Sequence, residues 1–174
     1  MTALADYIIR KPGPLRWNPE IPKFRGNIGI TQGWISICAN LLLFVLKLVF
    51  GIISNSIALI ADAFHTLSDM ASSGVVVFGF KMASKPADKE HPFGHGRAET
   101  IAALTISILI GFTGLEFIKS SLARFMEDIM INVNWAVIAV LILTIFFKEG
   151  LVRLSLNLGD TINSDILKAD ALHH

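Results

Sequence analysis

The sequence predicts an all-α protein, a polytopic membrane helix bundle with four complete transmembrane helices and the start of a fifth. Three observations carry that expectation. Hydrophobic residues make up 53% of the 174-residue chain and charged residues only 17%, against about 45–50% and about 25% in soluble globular domains. The mean hydropathy is +0.60. The charges are bunched into short segments that separate apolar runs of roughly 20 residues, the length that crosses a hydrocarbon core.

Residues 1–30 read as a polar cytoplasmic leader with no secretory signal. Pro12, Pro14, Pro19 and Pro22 interrupt any long regular helix, and Arg10, Lys11, Arg16, Lys23 and Arg25 make it basic. Residues 31–174 are expected to form one transmembrane domain. Its first span runs from Gly33 to Ile53, closed by a short uncharged turn with Gly51, Ser54, Asn55 and Ser56. The second runs from Ile57 to Ala83, and the charged loop Lys85 to Glu99 follows. The third spans Thr100 to Phe125, with a polar break over Met126 to Asn134. The fourth spans Trp135 to Leu151, after which Asn157, Gly159, Asp160 and Asn163 are polar. A new helical pattern starts near Ile166.

Lysine and arginine gather in the leader and in the loop between spans two and three, and the loop between spans one and two carries no charge. That bias places the N-terminus and the second loop in the cytoplasm. A net charge of +1 gives no electrostatic case for a nucleic-acid partner. The single cysteine, Cys38, cannot form an intrachain disulfide and is expected in the core as a small hydrophobe. Lys47 lies within the first span, so it either snorkels to an interface or pairs with an acid on a neighbouring helix. Asn40 shares its face, which marks that side as packed against protein. Trp34 and Trp135 read as interface anchors.

The chemistry concentrates in three places. His65 and Asp69 lie four residues apart in an apolar helix and therefore share a face. An imidazole and a carboxylate so placed are half of a tetrahedral divalent-metal site, or else a structural pair with partners of its own. Asp62, three residues before His65, is a candidate to orient its ring. In the loop, Asp88, His91 and His95 form a second carboxylate–imidazole cluster at spacings of three and four. Two readings stand there: a metal site facing the cytoplasm, or a solvated structural loop whose histidines cap helix ends. Third, KADALHH at residues 168–174 carries Asp170 and His173 into the last helical segment.

The segments SNSIALIADAFHTLSDMASS, KPADKEHPFGHGRAETIAAL and ADALHH closely resemble the cation diffusion facilitator family, proton-coupled exporters of zinc and related divalent cations. The resemblance runs from Gln32 to His174. It implies that His65 and Asp69 supply two ligands of a transport site and that His173 supplies a third. Asp88, His91 and His95 would match a secondary metal site of some members. Arg97 would match a basic position that joins membrane and cytoplasmic parts. It also implies homodimers of six-span subunits with a cytoplasmic C-terminal domain. On that pattern the fourth ligand falls three residues past His174, so the chain reads as the N-terminal membrane part of a transporter.

The resemblance implies Zn²⁺ as transported substrate, with Fe²⁺, Co²⁺, Cd²⁺ and Mn²⁺ as alternatives, and protons as the counter-ion; no prosthetic cofactor is expected. Imidazole ligands must be neutral and carboxylates ionised to hold the metal, so metal binding and protonation exclude one another. A nitrogen donor at His65 favours zinc over cadmium or manganese. The expected setting is a prokaryotic cytoplasmic membrane. Two other classes remain at this point: a membrane metalloenzyme, for which no clear general base or substrate pocket is legible, and a truncated homologue that regulates or dimerises with a transporter.

Overall fold

The computed structural model describes residues 22–125 and 135–174. The leader up to residue 21 and the break at 126–134 lie outside the described residues. Within them the chain forms α1 (Pro22–Ile53), α2 (Ile57–Ala83), α3 (Arg97–Phe125), α4 (Trp135–Thr161) and a short α5 (Asp165–His173). No strand occurs among the described residues.

Local chemistry places the boundaries. Pro22 opens α1, where its missing N–H would have had no helical partner. Ser56 caps α2 by accepting from the Leu59 N–H at 3.3 Å. The tight turns before α2 and α5 each hold an asparagine with positive φ, Asn55 at 48° and Asn163 at 49°. Asparagine enters this left-handed region more readily than most residues.

Helix lengths depart from the sequence expectation at three ends. α1 starts at Pro22, inside the stretch read as leader, because Ile28 packs into the core and Arg25 ties to α3. α3 already starts at Arg97. α4 continues past Leu151 to Thr161, since Leu154 and Leu158 keep a buried helical stripe going through the polar residues. Gly51 belongs to α1 rather than to the turn. A Cβ there would lie 2.8 Å from Ile60, so its role is close helix contact. Cys38, expected inside, is exposed.

The apolar core, built from Ile28, Val76, Phe80, Ile106, Leu158 and Ile166 among others, draws on all five helices. It lies toward the end of the bundle where α2 leaves, α3 begins and α4 turns into α5. That end is fastened by polar contacts. Arg25 donates to Glu99 at 3.1 Å and to the Asn163 carbonyl at 3.3 Å, and Ser164 donates to Glu99 at 2.6 Å. α1 meets α2 through glycines: a Cβ at Gly29 would fall 2.2 Å from the Phe80 ring, and one at Gly33 2.5 Å from Val77. Small residues at such a seam let backbones approach closely.

Beside this apolar core the interior holds many polar groups, and the surface is rich in large apolar ones. Gln32, Ser36, Asn40, Lys47, Thr66, Asp69, Ser155 and Asp170 are fully or almost fully buried, while Phe112, Phe117 and Leu122 of α3 are about two-thirds exposed, at 67%, 66% and 64%. In water that pattern would be costly. In a bilayer it is the stable one. α1 and α3 hold stretches, Phe24–Ile53 and Arg97–Ala123, long and apolar enough to cross a membrane by length and composition. α2 and α4 have comparable length but carry Asp62, His65, Asp69, Lys148 and Glu149. The polar cost is thus concentrated in the helices that build the site.

Candidate metal site

Asp69 sits near the midpoint of α2, on the buried stripe Leu59–Ala63–Thr66–Asp69–Ser73–Val76–Phe80. Its carboxylate is wholly inaccessible. Helical spacing brings Asp69 and His65 to adjoining positions along α2, and the α4–α5 turn returns the chain so that His173 reaches the same carboxylate. His173 Nε2 lies 3.4 Å from Asp69 Oδ1. Two helices separated by a hundred residues of sequence therefore converge on one anion. His65 is half-buried, its ring edge-on to Phe117 of α3 with centroids 6.5 Å apart.

A residue that the sequence reading passed over completes this centre. Lys148 of α4 places Nζ 2.6 Å from Asp69 Oδ2. Its signal was present: a Lys-Glu pair inside the apolar run that opens at Trp135. It was masked by the hydrophobic average of the span. Asp69 Oδ1 has no hydrogen-bond partner despite full burial, which is costly for an ionised oxygen unless a cation comes to it. The donor set of one carboxylate oxygen and the His173 imidazole suits a borderline-soft divalent ion, whereas the donor atoms of His65, Asp69 and His173 do not all lie within 4.8 Å of one another.

Asp62 does not orient His65. Its Oδ2 pairs with Lys47 Nζ at 2.8 Å, and Thr66 accepts from the same ammonium at 2.8 Å. Lys47, 2% exposed, thus takes the inter-helix pairing rather than the interface. Beside the site, Asp170 is buried against α1, where the Gln32 amide donates to it at 3.3 Å and also reaches Ser36 and Ser155. His174 Nε2 lies 3.7 Å from the same carboxylate.

The loop cluster is assembled differently. Among the described residues, one set of three metal-ligating side chains has its donor atoms mutually within 4.8 Å: Asp88, His91 and His95. Asp88 Oδ1 accepts from the backbone N–H groups of Glu90 at 3.0 Å and His91 at 2.7 Å. This is an aspartate turn that needs no distant partner. Gly94, at φ 81°, allows the reversal that brings His95 back. The rings of His91 and His95 have centroids 4.4 Å apart, and His95 Nε2 is 3.5 Å from Asp88 Oδ2. His95 Nδ1 meets the Pro86 carbonyl at 3.2 Å, which holds the ring in place. The His91 backbone N–H, followed by the His91 ring and the charge of His95, holds the Asp88 carboxyl below the ordinary aspartate value. Arg97 opens α3 just beyond, exposed.

Comparison with known proteins adds the family context. A model of the cation efflux transmembrane domain matches residues 33–174. An uncharacterized transporter of Methanocaldococcus jannaschii is 41% identical over 80% of this chain and 50% of its own length. A magnetosome protein of Paramagnetospirillum magneticum is 32% identical over 82% of this chain and 45% of its own. A manganese efflux system protein of Bacillus subtilis is 32% identical over 80% of this chain and 47% of its own. The chain spans about half the length of these relatives.

Proposed function

This chain belongs to the cation efflux family, and on that footing we propose that it forms the metal-carrying membrane part of a secondary transporter. It exports Zn²⁺, or a related divalent cation, from the cytoplasm in exchange for protons. Asp69, His65 and His173 hold the ion at mid-membrane; Asp88, His91 and His95 form a secondary site on the cytoplasmic side. The observation that carries this reading is Asp69: fully buried, half-way along α2, with one carboxylate oxygen facing His173 at 3.4 Å and lacking a hydrogen bond.

The chemistry supports ion exchange without a nucleotide. Neutral imidazoles and an ionised carboxylate bind metal; the same groups protonated release it. Histidine, with an ordinary pKa of about 6.5, changes state across the physiological range. The leader and the loop between α2 and α3 face the cytoplasm of a prokaryotic cell, and the working unit is a homodimer.

The test is flux of Zn²⁺, Mn²⁺, Fe²⁺, Co²⁺ and Cd²⁺ into proteoliposomes under an imposed pH gradient, with an internal dye. Flux that needs the gradient and disappears in Asp69→Ala and His65→Ala supports the exporter, with zinc leading. Flux indifferent to the gradient would remove the proton coupling. Absence of flux for every metal in the wild type would leave a dimerising, non-transporting role.

A further inference from the structure

We propose that Lys148 is a built-in competing cation: its ammonium holds Asp69 in the metal-free state, and an incoming divalent ion must displace it. The proposal rests on the reading of Asp69 as a metal ligand and adds to it a residue that sets affinity. The ion pair is short, at 2.6 Å, and deeply placed, with Lys148 17% and Asp69 0% exposed. A protonated ammonium has three donors and no lone pair, so it cannot share in metal coordination. A zinc ion would sit about 2.0–2.2 Å from the same carboxylate. Two cations at that range in a poorly solvated interior repel strongly. Lys148 holds Oδ2 and the free oxygen Oδ1 faces His173, so the arriving metal and the ammonium meet across one carboxylate and the ammonium gives way.

The structure gives the ammonium somewhere to go. A cavity of about 520 Å³ adjoins Lys148, lined also by Asp62, Thr144 and Glu149. The lysine stem is long and flexible, so the head group can withdraw into this space, whose lining includes the Asp62 and Glu149 carboxylates. The contrast with Lys47 is informative. Lys47 borders the same cavity but is clamped by both Asp62 and Thr66 at 2.8 Å and is 2% exposed. The second lysine braces α1 against α2; Lys148 guards the site. Its guarding has two consequences. The empty carrier holds no naked buried carboxylate, and an ion carrying one charge gains too little at Asp69 to evict the ammonium.

The decisive measurement is Zn²⁺ binding to the full chain in detergent at one fixed pH, by calorimetry, for wild type, Lys148→Met and Asp69→Asn. Lys148→Met is expected to bind at least about tenfold more tightly, since displacement no longer opposes binding, while Asp69→Asn loses the site. Affinity unchanged or weakened in Lys148→Met, with Asp69→Asn still defective, would overturn the guard role and leave metal ligation by Asp69 intact. Equal binding by wild type and Asp69→Asn would overturn both. A second measurement needs no variant: amine-reactive labelling of Lys148, read by mass spectrometry, should rise several-fold at saturating Zn²⁺. Labelling that stays constant would sink the displacement step.

Discussion

The loop cluster and the mid-membrane centre use the same side-chain types and are built in opposite ways. Asp88, His91 and His95 lie within eight residues of one another in sequence and reach mutual ligand distance through an aspartate turn and one left-handed glycine. Asp69, His173 and Lys148 come from three helices, and their meeting depends on the whole bundle. The local site is open to solvent: Asp88 and His91 have more than half of their side-chain surface exposed, 53% and 55%. The tertiary site is sealed. An exposed site exchanges ions easily and holds them weakly in a high dielectric. A sealed site binds through undiluted charge, and so has to balance that charge when no metal is present. Lys148 is that balance. Asp69 and the end of α2 at Ala83 are separated by roughly 20 Å of helix at 1.5 Å per residue, so one ion cannot bridge the two centres.

The strongest way to break this contrast is to neutralise Asp69. Asp69→Asn should lower zinc flux in proteoliposomes by at least about 100-fold, beyond what loss of an outer-shell partner costs, with the loop intact. If the loop were the true carrier site, flux would survive. The converse pair, His91→Ala with His95→Ala, should reduce flux less than about tenfold and mainly at low metal, as expected of a site that feeds the carrier rather than carries. A loss as deep as that of Asp69→Asn would reverse the assignment of roles.

A third variant asks whether the deep centre depends on the bundle as a whole. Gly29→Ala forces a Cβ to within 2.2 Å of the Phe80 ring, at the fastened end of the molecule. Overpacking of this kind costs about 1–3 kcal/mol. It should lower the thermal midpoint in detergent and weaken zinc binding at Asp69, while the loop cluster keeps its metal affinity. Gly74→Ala, whose Cβ would meet nothing within 4 Å, is the matched control and should be neutral or slightly stabilising.

The smallest effect concerns acid. The Asp88 carboxyl titrates below its ordinary value of 3.8 because the folded turn donates hydrogen bonds to the ionised form. A group so depressed adds stability that is fully present above pH 3.8 and is lost as the pH falls through its lower folded value. The amide resonances of Glu90 and His91 should therefore stay at their ordered positions at pH 3.8 and shift only below it. A shift already complete at pH 3.8 would show that the turn does not hold the carboxylate.

Much of the fold was readable because membrane helices announce themselves by composition. The turn at Asn55, the start of α2 at Ile57 and its end at Ala83 fall where polarity changes abruptly. Helix ends that depend on packing were not readable. α4 runs on to Thr161 because Leu154 and Leu158 find a core that only the assembled bundle provides. Cys38 faces outward for a similar reason: an apolar residue in an apolar helix carries no mark of which side meets lipid. Asp62 looked like a partner for His65 from spacing alone, yet Lys47 across the α1–α2 seam holds it.

The sequence by itself determined the class of molecule, the approximate bounds of the helices among the described residues, and the nearness of Asp88, His91 and His95. Each depends on neighbours in the chain: hydropathy over a helix length, or side chains within one turn. The tertiary structure alone decided which residues share the buried carboxylate. Asp69 meets Lys148 and His173 only after α4 and α5 fold back against α2, and no spacing along the chain encodes a contact across 79 residues. Charge that must be neutralised out of water finds its partner through space, and that partner is visible only once the helices are packed.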